Sequence, residues 1–148
     1  MKSKLPTQSN IHKDARIGKF SIIEHDVIVE GDVEIGNYCQ VKSGSVIKKG
    51  SIIKNNVSIG CNNIIHSNCQ IDSFCSIMDN NIFYSNTKIG SHTIVENNVT
   101  IKSSNNIGVH CILRDNVLVG ESCKLTAYCE LRNNVILGEN TSFGSRCT

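Results

Sequence analysis

Arg114 and Arg132 are basic residues eighteen apart. If that interval places them on one outward column, their guanidinium forks form a clamp for a phosphate. His92 and His110 share the interval and could share a metal ion, but no third ligand stands at a stacked position, so no metal site is expected. Eight cysteines include no CxxC and no His/Cys cluster of zinc spacing. No Ser/His/Asp arrangement can be assembled, and His12 and His66 have no nameable partners. What these residues can do depends on the elements that bring positions eighteen apart together.

Those elements follow from a six-residue period. Stepping by six from Ile11 to Phe143, without an insertion, every one of 23 positions is apolar. The residue four later is small or medium-sized, from Ala15 and Ser21 to Cys147, and seven of the eight cysteines fall there, Cys61 excepted. The cysteines therefore read as small core hydrophobes and not as redox groups. The residue three after each large one is Asn, Asp or Gly in 14 of 23 repeats, types that tolerate the left-handed backbone of a sharp corner. A β-branched residue every six positions fits a short strand plus a turn, not a helix. Three strands and three corners close a triangular coil of eighteen residues. Coils stacked as parallel sheets about 4.8 Å apart give seven to eight coils and a prism about 37 Å long.

Columns can then be read along the prism. One corner runs Phe20, Tyr38, Asn56, Phe74, His92, His110, Tyr128 and Arg146, a stacking ladder of rings over the turn backbone. One face carries Ile28, Val46, Ile64, Ile82, Leu118 and Ile136, broken only by Thr100. An apolar ladder of that length is a surface to be covered. A symmetric homo-oligomer would bury it, and a homotrimer is expected.

This pattern resembles the hexapeptide-repeat, left-handed parallel β-helix family over residues 11–148, with residues 1–10 expected to be an N-terminal cap or disordered. The resemblance implies an all-β, single-stranded left-handed parallel β-helix, since handedness does not follow from the period, and it implies trimers about an axis parallel to the prism. The segment from His110 to Asn134 is similar to the acetyltransferase domain of the bifunctional enzymes that acetylate glucosamine-1-phosphate and uridylate the product on the way to UDP-N-acetylglucosamine. By that resemblance Arg114 and Arg132 hold the sugar phosphate and acetyl-CoA is the acyl donor. The run IIEHDV resembles a short motif of sugar acetyltransferases of the same fold, which implies that His25 deprotonates the acceptor. No counterpart of the family's histidine loop, CoA-gripping parts or helical lid is expected within the residues up to Thr148. Either the chain is a fragment of a longer protein or the family's chemistry is absent from it, and the alternative reading is a non-catalytic trimerising scaffold.

Composition narrows the classes. A chain of 148 residues is one domain. A net charge of +2 without a basic block or Trp argues against nucleic acid. There is no apolar run long enough for a membrane span and no h-region in MKSKLPTQSN, so a cytoplasmic protein is expected.

Overall fold

A computed structural model describes residues 9–148, which form an all-β, left-handed parallel β-helix. The cap expected over 1–10 lies outside the described residues except for Ser9 and Asn10, and Asn10 opens the first strand. Strands of two residues recur every six, beginning with β1 (Asn10–Ile11), β2 (Arg16–Ile17) and β3 (Ile22–Ile23) and ending with β23 (Ser142–Phe143). Every third strand belongs to the same sheet, so the 23 strands form three faces of eight, eight and seven strands. The register is eighteen throughout: Ile28 pairs with Val46 on the first face, Arg16 with Glu34 on the second, Ile22 with Gln40 on the third.

The corners explain why so short a strand suffices. Of the 23 corner positions, 22 have φ between 54° and 76°; only Asp14 does not. The expectation for Asn, Asp and Gly extends to Phe20, Tyr38, Phe74, His92, His110, Tyr128 and Arg146, which adopt the same conformation. An L-residue there costs about 1–2 kcal/mol, and stacking of those rings on their neighbours offsets part of it. Side chains just before the corners tie coil to coil. Asp79, Asn97 and Asp115 accept hydrogen bonds from the backbone N–H groups of Cys61, Asp79 and Asn97 at 2.7, 3.1 and 2.9 Å.

Inside the prism the large residues Ile23, Ile59, Phe83, Leu113 and their column mates are fully buried. The small column is more than a filler. Ser21 donates its hydroxyl to the Gly36 carbonyl at 2.7 Å and accepts the Cys39 N–H at 3.0 Å. Asn63 does the same with the Met78 carbonyl and the Asn81 N–H. Cys39, Cys75, Cys111 and Cys129 aim their Sγ at carbonyls fifteen residues on, at 2.9 to 3.1 Å. These thiols are buried as expected but also fill a hydrogen-bonding position shared with Ser, Thr and Asn. Among the described residues no buried side-chain polar atom lacks a partner.

Candidate active site

The corner between the third and first faces places His25 and Asp26 at its lowest described coil. Asp26 is the corner residue itself, with φ 57°, which turns its carboxylate back against the preceding ring. His25 Nδ1 lies 2.7 Å from Asp26 Oδ2, and Nε2 lies 3.1 Å from the Ser43 hydroxyl. A Ser/His/Asp arrangement thus exists where none was expected. Ser43 is eighteen residues after His25 and so stands directly over it, a relation visible in the columns. Glu24 joins the cluster, its carboxylate accepting from the Ser43 N–H at 3.1 Å and lying 3.0 Å from the Ser43 Oγ. Gln40 reaches its other oxygen at 3.4 Å.

The donors fix what the cluster can do. The Asp26 carboxylate is an acceptor only, so the hydrogen between the two groups sits on His25 Nδ1, which leaves Nε2 facing the Ser43 hydroxyl. Ser43 has one hydroxyl proton and two acceptors, His25 Nε2 and Glu24. Once His25 is protonated, Nε2–H donates to Ser43, whose O–H passes to Glu24, and every contact is satisfied. Burial alone would raise the Glu24 carboxyl. The Ser43 N–H and hydroxyl, Gln40 and Lys42 outweigh it and hold the carboxyl below the usual carboxylate range. The His25 side chain is 60% exposed, so an acceptor can reach Nε2 by displacing the serine hydroxyl.

Arg114 and Arg132 do share one column, at the end of the third face. Arg114 already donates Nη1 to Glu96 and Nε to Glu130, both at 2.7 Å. Hydrogen bonds to Glu130 first and Glu96 next raise its pKa further. Arg132 is exposed, with no side-chain ion pair among the described residues. The same column begins at Glu24, five coils below Arg114, or about 24 Å along the axis. His25 and the arginines therefore cannot engage one small sugar phosphate together. Arg132 also borders a hollow of about 330 Å³ at the edge of the last coil, with Leu131, Val135 and Phe143.

The first face carries its apolar ladder as expected, with Val46, Ile64, Ile82 and Leu118 half-buried and Ile28 and Ile136 40% and 74% exposed. His66 has a partner after all, stacking on Tyr84 at 4.9 Å, with Lys102 over that ring. No group of three metal-ligating side chains occurs among the described residues, and no helix of the described chain is long and apolar enough to cross a membrane.

A family model described as bacterial transferase hexapeptide (six repeats) matches residues 9–49. No curated protein matches the chain. Among solved structures it is similar to LpxA, a UDP-N-acetylglucosamine acyltransferase from Bacteroides fragilis, with a TM-score of 0.72 and 16% identity over 95% of this chain and 67% of that one. It is also similar to a candidate acetyltransferase of Bacillus cereus, with a TM-score of 0.53 and 19% identity over 97% and 77%. At these identities the likeness is one of fold. The chain spans about two thirds of the acyltransferase's length.

Proposed function

We propose that this chain is an acyltransferase of the hexapeptide-repeat type, acting on an amine or hydroxyl of a sugar-like acceptor, with His25 as general base. The observation that carries the reading is the pinned imidazole: Nδ1 held by Asp26 at 2.7 Å and Nε2 against the Ser43 hydroxyl at 3.1 Å, on a side chain that is 60% exposed. The transfer is direct. His25 Nε2 takes the proton as the acceptor nitrogen or oxygen attacks a thioester carbonyl; the new C–N or C–O bond forms, the C–S bond breaks, and the departing thiolate is protonated by solvent. Acetyl-CoA is the donor that suits this chemistry, since a thiolate leaves without an acid. The test is acetylation of amino sugars and their phosphates, glucosamine-1-phosphate included, by the purified chain. His25→Ala and His25→Asn are expected to lose at least a hundredfold, and turnover that survives both substitutions overturns the reading.

Binding of a sugar phosphate by Arg114 and Arg132 is a separate proposal, at the far end of the prism. Arg132 supplies the open cation there, so Arg132→Ala should remove binding of glucosamine-1-phosphate that His25→Ala leaves intact. A specific observation also favours the scaffold reading: among the described residues the six-residue strand spacing is unbroken, and no loop leaves the coil to wall a site. In that reading the first face joins three copies and no acetyl transfer is detected.

A further inference from the structure

We propose that the corner between the second and third faces carries a binding site for a planar heteroaromatic ring of the nucleobase class, in the gap that Asn56 leaves in the ring ladder. Along this corner, wherever rings stand on consecutive coils, they stack. Phe20 lies 5.0 Å from Tyr38 at 9°, and Phe74 lies 5.0 Å from His92 at 7°. The series continues at 4.8 Å to His110 and 4.9 Å to Tyr128, again nearly parallel. Asn56 holds the same corner conformation, with φ 57°, but brings no ring. The upper face of Tyr38 and the lower face of Phe74 are therefore left unstacked, two coils and about 9.6 Å apart. Both residues are largely exposed, at 60% and 55%.

That separation is the thickness of one missing ring. A flat ring midway lies about 4.8 Å from each neighbour, the spacing the ladder already uses and within the range of offset stacking. The Asn56 carboxamide ends several bonds short of where a tyrosine ring reaches, so it floors the slot and leaves its mouth open. Its side chain makes no hydrogen bond among the described residues, and it offers one carbonyl acceptor and an NH₂ donor to the edge of a base. Beside it a groove of about 490 Å³ opens on the second face, lined by Gly36, Ile52, Lys54, Asn55 and Ser73 among others, with room for a ribose. The groove's charges are matched, Lys54 with Asp72 at 2.7 Å and Arg16 with Glu34. Recognition is therefore by the ring, and a nucleoside binds about as well as its monophosphate. A left-handed corner favours asparagine in any case; the two ring faces kept bare on either side of it point to a ligand.

The site lies at a different corner from His25 and does not depend on acyl transfer. The test is proton NMR of adenosine, uridine and adenosine monophosphate titrated with the full chain. The base protons should shift upfield, as they do between two ring faces. Tyr38→Ala and Phe74→Ala should each weaken binding about tenfold. Asn56→Tyr, which the corner accommodates as it does Tyr38 and Tyr128 at φ 57° and 61°, should abolish binding without lowering the melting temperature. Absence of upfield shifts for both nucleosides, or undiminished binding by Asn56→Tyr, overturns the proposal. Affinity for adenosine monophosphate far above that for adenosine overturns the ring-led account in favour of phosphate recognition by Lys54.

Discussion

The small column shows what a single residue contributes in this fold. A thiol at position 39, 75, 111 or 129 replaces a serine or threonine hydroxyl, donating to the same carbonyl of the next coil while filling more volume. Burial pushes the thiols of Cys69 and Cys75 up to about 11, so almost none is thiolate near neutral pH. Only Cys61 and Cys147, which are half-buried, should react with a maleimide in the folded protein, with the other six reacting after denaturation; mass spectrometry counts the adducts. Cys75→Ala should cost about 1 kcal/mol more than Cys75→Ser, because it strands the Gly90 carbonyl, a difference read by urea unfolding. Acid acts on Asp72. Burial alone would raise its carboxyl, but the hydrogen bond and charge of Lys54, with Gln70, outweigh it and depress it. A depressed folded pKa adds stability that is present above about pH 4 and is lost as pH falls through the lower folded value. Asp72→Asn should flatten the acid limb of the stability profile, measured by thermal melts from neutral pH downward.

At the scale of strand and corner, the backbone is specified by conformation more than by strand length. Asn98, with φ 58°, should tolerate Gly, whereas Asn98→Val should cost about 2 kcal/mol because a β-branched residue is strained there; chemical denaturation of the two variants compares them directly. Strands, corners and core were legible in the sequence because an unbroken period of six turns arithmetic into register. The candidate site was legible only in part. The sequence neighbours of His25 single it out as a candidate, whereas nothing in the local sequence points to Ser43 or Glu24, although Ser43 is one coil above His25. Which side chains turn toward each other depends on rotamers that spacing does not encode. The arginine clamp shows the same limit. Glu96 is one coil before Arg114 and was there to be counted, yet reading the basic residues alone missed that its carboxylate, with that of Glu130, engages the guanidinium.

For the whole molecule, each coil touches only the one above and the one below, so stability is close to a sum over coils. Excision of residues 93–110, one full coil, should leave a shorter prism with the same far-ultraviolet circular dichroism per residue. The apolar first face gives the assembly its test. If Ile64 and Ile82 meet other copies, the pair Ile64→Asp and Ile82→Lys should convert a trimer to a monomer in light scattering without changing the melting profile at low concentration. A wild-type mass equal to one chain rejects that assembly.

The eighteen-residue register also sets how such a gene can change. Gain or loss of eighteen codons leaves every downstream residue in its own column, so the prism lengthens or shortens while its faces keep their identities. A slip of six codons leaves the core intact, because large and small positions still alternate correctly, yet it rotates everything downstream by one side of the triangle. After a gain of six codons the isoleucine ladder would continue on the face that now bears Lys88 and Lys124. If the first face joins copies, such a lineage would fold and fail to assemble, so a constraint on the exterior, not on the core, would confine gains and losses to multiples of three repeats.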